Sequence, residues 1–426
     1  MMKVLSGVWA LLLGIVFIML GNGMHFTLIG LRGGIEGFSS AQLAIITSGY
    51  FLGFLSGARV TPMMIRRVGH VRVFAALGSF MSAALIAFPL LTEPWAWTLL
   101  RVLIGFCMSG VYVTAESWLN DASTNETRGQ VLAAYMIAQT VGIIGAQALL
   151  TLGDAGTAGL FIGASILVSI AFGPILLSVT PTPVAEMTRP MPLKELFAGS
   201  PLGTVGIFLL GGIYAIQSGM AAVFGTQIGL SANNVALLVA MLFGGALLMQ
   251  YPVGWLSDRM DRRKLIFASA ALGAIASGYG WFAENQLIAL LGAAFFAGGI
   301  TTPLYALFLA YTNDYLAAED MPAASGGLVF TFGLGAILGP LAAGWAMEQF
   351  GPQGFWLSLG ATFCAISAYA LYRMTRREVV AVEDTESYLN VLPTTSALAV
   401  EAAGNWAAEH AEAEAVDDTS PKDEDT

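Results

Sequence analysis

Long runs of residues with almost no charge recur from one end of this chain to the other, and they leave it few ways to fold. The first extends from Lys3 to about Leu31, and others follow at roughly 41–64, 72–91, 95–119, 130–152, 157–179, 202–224, 232–256, 265–283, 286–312, 323–347 and 354–373. About 20 apolar residues at about 1.5 Å per residue cross a hydrocarbon layer of about 30 Å. In lipid such a segment must satisfy its own backbone hydrogen bonds, which makes it a helix. Twelve membrane-spanning helices are expected. The first run passes for a signal peptide only briefly, because it continues without a small-residue cleavage site.

Composition excludes a soluble globular domain. The 426 residues are 56% hydrophobic and only 11% charged, with a mean hydropathy of +0.73, whereas about a quarter of the residues of a soluble domain are charged. The 50 glycines exceed the soluble average of about 7% and point to helices that approach closely where lipid supplies no hydrophobic driving force. Cys107 and Cys364 both lie in apolar runs, so neither a disulfide framework nor a metal site is indicated. The chain has no CxxC, HExxH or phosphate-binding loop. An ATP-driven engine, enzymatic activity, a metal or other cofactor and a nucleic-acid partner are therefore not expected.

The net charge of −10 is concentrated at one end. From Glu378 onward there are 13 acidic residues and one lysine, while the rest holds 17 basic and 15 acidic residues. That last segment is too polar on average to bury much surface, and residues 375–426 are expected to form a disordered acidic tail, with at most a short amphipathic helix around 397–415. A polar, proline-containing stretch at 180–200 divides the spans into an N-terminal bundle of six, 1–179, and a C-terminal bundle of six, 201–374. Fourteen of the 17 Lys and Arg residues outside the tail, among them Arg66, Arg67, Arg128, Arg189, Arg262 and Arg377, fall on the side shared by the N-terminus and the even-to-odd loops. By the positive-inside rule that side is cytoplasmic, with both termini. The halves read as copies: Gly69 and Asp261 are 192 residues apart, Asn120-Asp121 and Asn313-Asp314 are 193 apart, and so are Gly142 and Gly335.

The most distinctive charged stretch is Tyr251–Lys264, YPVGWLSDRMDRRK. The spacing of Gly254, Asp258, Arg259, Arg262 and Arg263 resembles the G-x-x-x-D-R-x-G-R-R signature of the major facilitator superfamily, with Asp261 in place of the glycine. A degenerate copy, PMMIRRVGH, runs from Pro62 to His70, with Arg66 where the aspartate would stand. The segment AESWLNDASTNETRGQVLAAYM ending at Met136, TTPLYALFLAYTND from Thr301 and the pair Gly339-Pro340 are similar to YcaD-type permeases of that superfamily. The resemblance covers essentially all of the chain except the tail. It implies an all-α membrane protein in which two pseudo-symmetric six-helix bundles are related by an axis along the membrane normal. It does not reach a substrate.

Charges within spans cost about 2.5–3.5 kcal/mol at the bilayer centre and so mark cavities or partners. Arg101, in RVLIG, resembles an arginine element of the family's fourth helix, which implies a part in proton coupling; the other reading is an arginine snorkelling near the outer surface. Glu116 lies 15 residues further on, about 22 Å along the helix, too far to pair with Arg101. It is expected near the cytoplasmic end, in an ion pair with Arg128 or with the Arg66/Arg67 loop that closes the inward gate, or else as a proton carrier. Asp258 with Arg259, Arg262 and Arg263 is the expected counterpart in the second half. The expected cavity is lined by Asn22 and His25, Tyr112, Gln139, Tyr214 and Gln217, and Tyr305, three-residue spacing being taken to place Asn22 with His25 and Tyr214 with Gln217 on common faces. His25 reads either as a coupling group or as a hydrogen-bonded packing residue. Gly335, Gly339 and Pro340 resemble an antiporter element of the family, and close packing with a kink accounts for them equally.

The expectation is a monomeric secondary transporter of the inner membrane, with the lipid bilayer, a small organic solute and protons as its partners. Export comes first and proton-linked or facilitated uptake second. A receptor or scaffold signalling through the tail is the alternative from another class.

Overall fold

A computed structural model describes residues 2–121, 123–124, 127–177, 190–284, 286–317 and 320–376, together with 388, 391–396, 399–400 and 403. The described elements are helices: α1 Met2–Ile35, α2 Ser40–Val68, α3 His70–Ala87, α4 Pro94–Asp121, α5 Arg128–Leu150, α6 Gly159–Leu177, α7 Leu193–Gly199, α8 Pro201–Gln227, α9 Ala232–Ser257, α10 Arg262–Phe282, α11 Leu287–Asn313, α12 Met321–Phe350 and α13 Gly354–Met374. Eleven are long and apolar enough to cross a membrane; in α6 the apolar stretch among the described residues, Gly159–Pro174, is shorter. Six long helices, α1–α6, precede the polar stretch at 180–200 and six, α8–α13, follow it, and the stretch itself is not all loop. It contains α7, whose Leu196 is buried, and Met191 N–H donates to the Ala323 carbonyl at 2.7 Å, fastening the linker to α12.

The boundaries follow local chemistry that is repeated in the two halves. Ser39 opens α2 with a capping box, its hydroxyl accepting from Gln42 N–H while the Gln42 side chain accepts from Ser39 N–H. Ser231 caps α9 in the same way through Asn234 N–H. At the next junction, Gly69 turns the chain into α3 at φ +85°, a conformation glycine adopts without a Cβ penalty. Asp261 does the equivalent job for α10 with a different device, its carboxylate accepting from Arg263 N–H.

Packing repeats the same symmetry. In the first half α2 lies on α4, α1 on α5 and α6, and α3 on α4 and α6; in the second α9 lies on α11, α8 on α12 and α13, and α10 on α11 and α13. The α2–α4 pair is drawn together at glycines: a Cβ on Gly53 would strike the Val102 carbonyl, and one on Gly105 the Tyr50 carbonyl. Gly245 against Phe295 and Gly298 against Leu242 do the same for α9–α11. Such approach lets van der Waals contact hold helices together in lipid.

The halves meet along α1–α8, α2–α12 and α5–α9. Closure is tight on the face opposite the basic loops. There Gln227 donates to the Ser40 hydroxyl at 2.7 Å, Ala41 N–H to Glu348 at 3.1 Å and the Ser48 hydroxyl to the Ile337 carbonyl at 2.7 Å, and Gly30 sits against Ala222 and Val223. The basic face, where α2 gives way to α3 and α9 to α10, is the end into which the C-terminal segment enters.

Gly53→Val and Gly245→Val are each expected to lower the thermal midpoint of the purified protein, since overpacking costs about 1–3 kcal/mol. Gly244→Val, with nothing within 4 Å of its added Cβ, is the control. Equal losses at Gly244 and Gly245 would contradict this account of the packing.

Candidate functional site

Between the halves a small cavity of about 40 Å³ is walled by α1, α2, α4, α5, α8 and α9. On α1 its stripe is Met19, Asn22, Gly23, Phe26 and Thr27, the i, i+3, i+4, i+7, i+8 pattern of one helical face. Asn22, Tyr112 and Tyr214 reach the cavity as expected, and the Asn22 Oδ1 is buried with no hydrogen-bond partner among the described residues. Tyr50, Gln147 and Ser218 also line it, and the sequence reading missed them.

His25 and Gln217 do not line the cavity. Three residues turn a helix by about 300° and four by about 400°, so the i+4 neighbours Phe26 and Ser218 stay nearer the cavity face. His25 instead turns into its own bundle, where its Nδ1 accepts from Arg101 at 3.1 Å and its ring meets Phe88 at 4.5 Å. Gln217 donates to the Ala297 carbonyl at 3.1 Å, tying α8 to α11. Gln139 is fully buried, and neither end of its amide has a hydrogen-bond partner among the described residues. Tyr305 is buried against Phe332. Gly335 and Gly339 pack α12 against Phe208 and Gly212 of α8, and Pro340 is buried within a continuous α12.

Arg101 does not snorkel. Its guanidinium lies over Phe26 at 4.0 Å and Tyr50 at 4.7 Å, fully buried, with no carboxylate in ion-pair range among the described residues. Aromatic faces stabilise a desolvated cation by about 2 kcal/mol, and the Arg101–His25 bond joins α4 to α1.

Glu116 is also fully buried on α4, and its partners differ from those expected. It accepts from the Tyr135 hydroxyl at 2.9 Å and from the backbone N–H of Ser396 at 2.8 Å. Among the described residues it has no ion pair: Arg66 and Arg67 sit on the exposed last turn of α2, and Arg128, at the start of α5, bridges to no carboxylate.

The signature stretch forms bonds within the second half. Arg262, buried at the start of α10, pairs with buried Asp314 beyond α11, reaches Asp258 at 3.9 Å and donates to the Ser257 hydroxyl at 3.2 Å. Arg263 pairs with Asp261 at 3.0 Å, and Arg259 lies over Trp255 at 4.4 Å. Burial alone would raise the Asp261 carboxyl, but the hydrogen bonds and charge of Arg263 hold it below the usual carboxylate range. The Arg262–Asp314 pair thus staples α9, α10 and α11 into one body. Asp314 went unrecognised as its partner because the two are 52 residues apart.

A second chamber of about 80 Å³ lies on the basic side of Tyr112, bounded by α2, α4, α12 and residues 394–396 of the C-terminal segment. Most of the expected tail lies outside the described residues, but of the ten described beyond Arg376 six are buried and four half-buried. No cluster among the described residues could hold a metal ion.

The Major Facilitator Superfamily profile matches residues 11–216 and again 202–406. The uncharacterised MFS-type transporter YfkF of Bacillus subtilis (strain 168) is 26% identical over 336 residues, covering 77% of this chain and 85% of that protein. YcaD of Escherichia fergusonii is 25% identical over 349 residues, covering 80% and 89%. Among solved structures, the nucleoside transporter NupG superposes with a TM-score of 0.70 at 14% identity, over 87% of this chain and 99% of that one. A D-xylose–proton symporter does so at 0.68 and 14%, over 89% and 98%.

Removing one member of a buried ion pair costs about 3–5 kcal/mol, whereas replacing both with apolar groups is often neutral. Arg262→Met and Asp314→Leu are each expected to destabilise the detergent-solubilised protein on that scale, and the double variant to recover most of the loss. Additive losses in the double-mutant cycle would contradict the pairing.

Proposed function

Given that the chain belongs to the major facilitator superfamily, we propose that this integral membrane transporter moves a small uncharged or amphipathic organic solute across the inner membrane by proton-coupled export, with its basic face and both termini in the cytoplasm. The two bundles rock about the cavity between them, exposing it to one face and then the other. With the basic face cytoplasmic, an arrangement closed opposite the basic loops is the inward-facing state.

The observation that carries the substrate class is the lining of the smaller cavity: amides, hydroxyls, phenols, phenyl rings and aliphatic side chains, with no formal charge among the described residues that wall it, Arg59 standing in the chamber on the basic side. The unpartnered Asn22 oxygen offers an acceptor to a solute N–H or O–H, since a buried polar atom left unpaired is unfavourable until something bonds to it. Glu116 is the proton-coupling group in this reading. It is a fully buried carboxylate within the spanning helix α4, with no cation in ion-pair range among the described residues, and intramembrane carboxylates without a structural ion pair mark proton relays.

A thermal-shift screen of the purified protein against metabolites and antibiotics identifies the solute, because a ligand selective for the native state raises apparent stability. Flux of that solute into proteoliposomes is expected to respond to an imposed pH gradient and to reverse its bias with the sign of the gradient. Glu116→Gln is expected to retain solute exchange while losing the dependence on the gradient. Flux indifferent to the gradient in the unaltered protein would refute proton coupling.

A further inference from the structure

After α13 the chain turns acidic, but residues 387–400, SYLNVLPTTSALAV, form an uncharged island between Glu386 and Glu401. That island carries nine of the ten residues described beyond Arg376. Val391, Thr395, Ala399 and Val400 are all at most 2% exposed. Eleven residues lie between Arg376 and Tyr388, and the twelve steps can span about 40 Å, enough to bring the island back from the end of α13 to the basic-face mouth.

The island is fixed to both halves. On the second, Tyr388 N–H donates to Asp258 at 3.1 Å, the Tyr388 hydroxyl donates to the Pro303 carbonyl at 3.5 Å, and the ring covers Gly254 at the close of α9. On the first, Ser396 N–H donates to Glu116. Between these anchors Leu392–Thr395 makes a turn closed by a 3.0 Å bond from Thr395 N–H to the Leu392 carbonyl, with Pro393 at the position such turns favour. Each half thus supplies one carboxylate, and each carboxylate receives a backbone N–H. Main-chain bonds of this kind supply affinity, and the Tyr388 side chain adds selectivity.

With the island in place, the free space on either side of Tyr112 is about 40 Å³ and about 80 Å³. Sites for organic ligands are about 300–1,000 Å³. A solute of that size cannot share the cavity with Thr394–Ser396. Nor can the halves close over the basic face while a segment is wedged between α4 and α12.

We infer that the basic-face mouth is a peptide-binding site whose resident ligand is the chain's own segment 388–403, a strap that competes with solute and holds the halves in this one arrangement. Its effect on flux rests on the alternating-access reading above; its binding does not. The strap need not be permanent. If it fills the cavity about nine-tenths of the time, apparent solute affinity falls about tenfold.

The test uses single-cysteine proteins in which Cys107 and Cys364 are replaced by serine. With the cysteine at Thr395, maleimide labelling of the folded protein is expected to be at least tenfold slower than in the detergent-unfolded chain; equal rates would overturn the strap whatever the protein transports. With the cysteine at Val113, which lines the chamber under the strap, ending the chain at Arg376 is expected to speed labelling about tenfold. A synthetic peptide of residues 388–403 is expected to restore protection, and failure to protect would overturn the peptide site. Should the shortened chain fail to fold, Ser396→Pro serves instead, since proline removes the N–H that meets Glu116 while leaving the rest of the segment. If Thr395 is protected yet both altered chains take up solute no faster than the full chain, the segment is docked without inhibiting. That result refutes the competition and leaves the transport reading intact.

Discussion

Ionisable groups buried within these bundles need partners, because the surrounding hydrocarbon provides none. Three solutions recur. Arg101 is stacked between aromatic rings and bonded to a neutral histidine nitrogen. Arg262 is neutralised by Asp314. Glu116 is met by a phenol and a backbone amide, with no cation in ion-pair range among the described residues. The first two fasten helices within a half and make each half a rigid body. The third sits where the halves face each other and is bonded in part by a segment that belongs to neither.

That division accounts for the mechanics. Within each half the carbonyl-to-glycine approaches of α2 on α4 and α9 on α11 leave little room for sliding, so motion is concentrated at the surface between halves. Among the described residues the hydrogen bonds there, Glu348 supplying the one charged acceptor, lie away from the basic loops, while on the basic side the Arg59 guanidinium of α2 lies over the Phe330 ring of α12 at 4.9 Å. A change on the basic side that favours closure can be met by opening on the other without breaking a buried ion pair.

The fold was legible in the sequence because hydropathy in lipid is a strong constraint, and because duplicated turns such as Gly69 and Asp261 must sit at equivalent junctions. The cavity was half legible. Asn22, Tyr112 and Tyr214 were found by asking which polar groups lie in mid-span, but His25 and Gln217 were misplaced because an i+3 step drifts off a narrow stripe, and Gln147 was passed over although it bonds Thr27 at 2.9 Å. Glu116 was recognised as exceptional, but its partners could not be guessed: one is a backbone N–H, which carries no residue signature, 280 residues away. The tail misled through averaging. Its thirteen carboxylates hide a neutral stretch as apolar as the surfaces it meets.

The central claim is that the two bundles move as bodies about the cavity between them. Spin labels at Arg66 and Lys264, exposed on the basic face of the two halves, and at Glu93 and Gln286, exposed on the other, allow both separations to be read by pulsed dipolar spectroscopy in lipid. Shifting the population with solute or pH should shorten the Arg66–Lys264 distance and lengthen the Glu93–Gln286 distance together. Two distances that stay fixed under every condition, or that rise and fall in parallel, would contradict it.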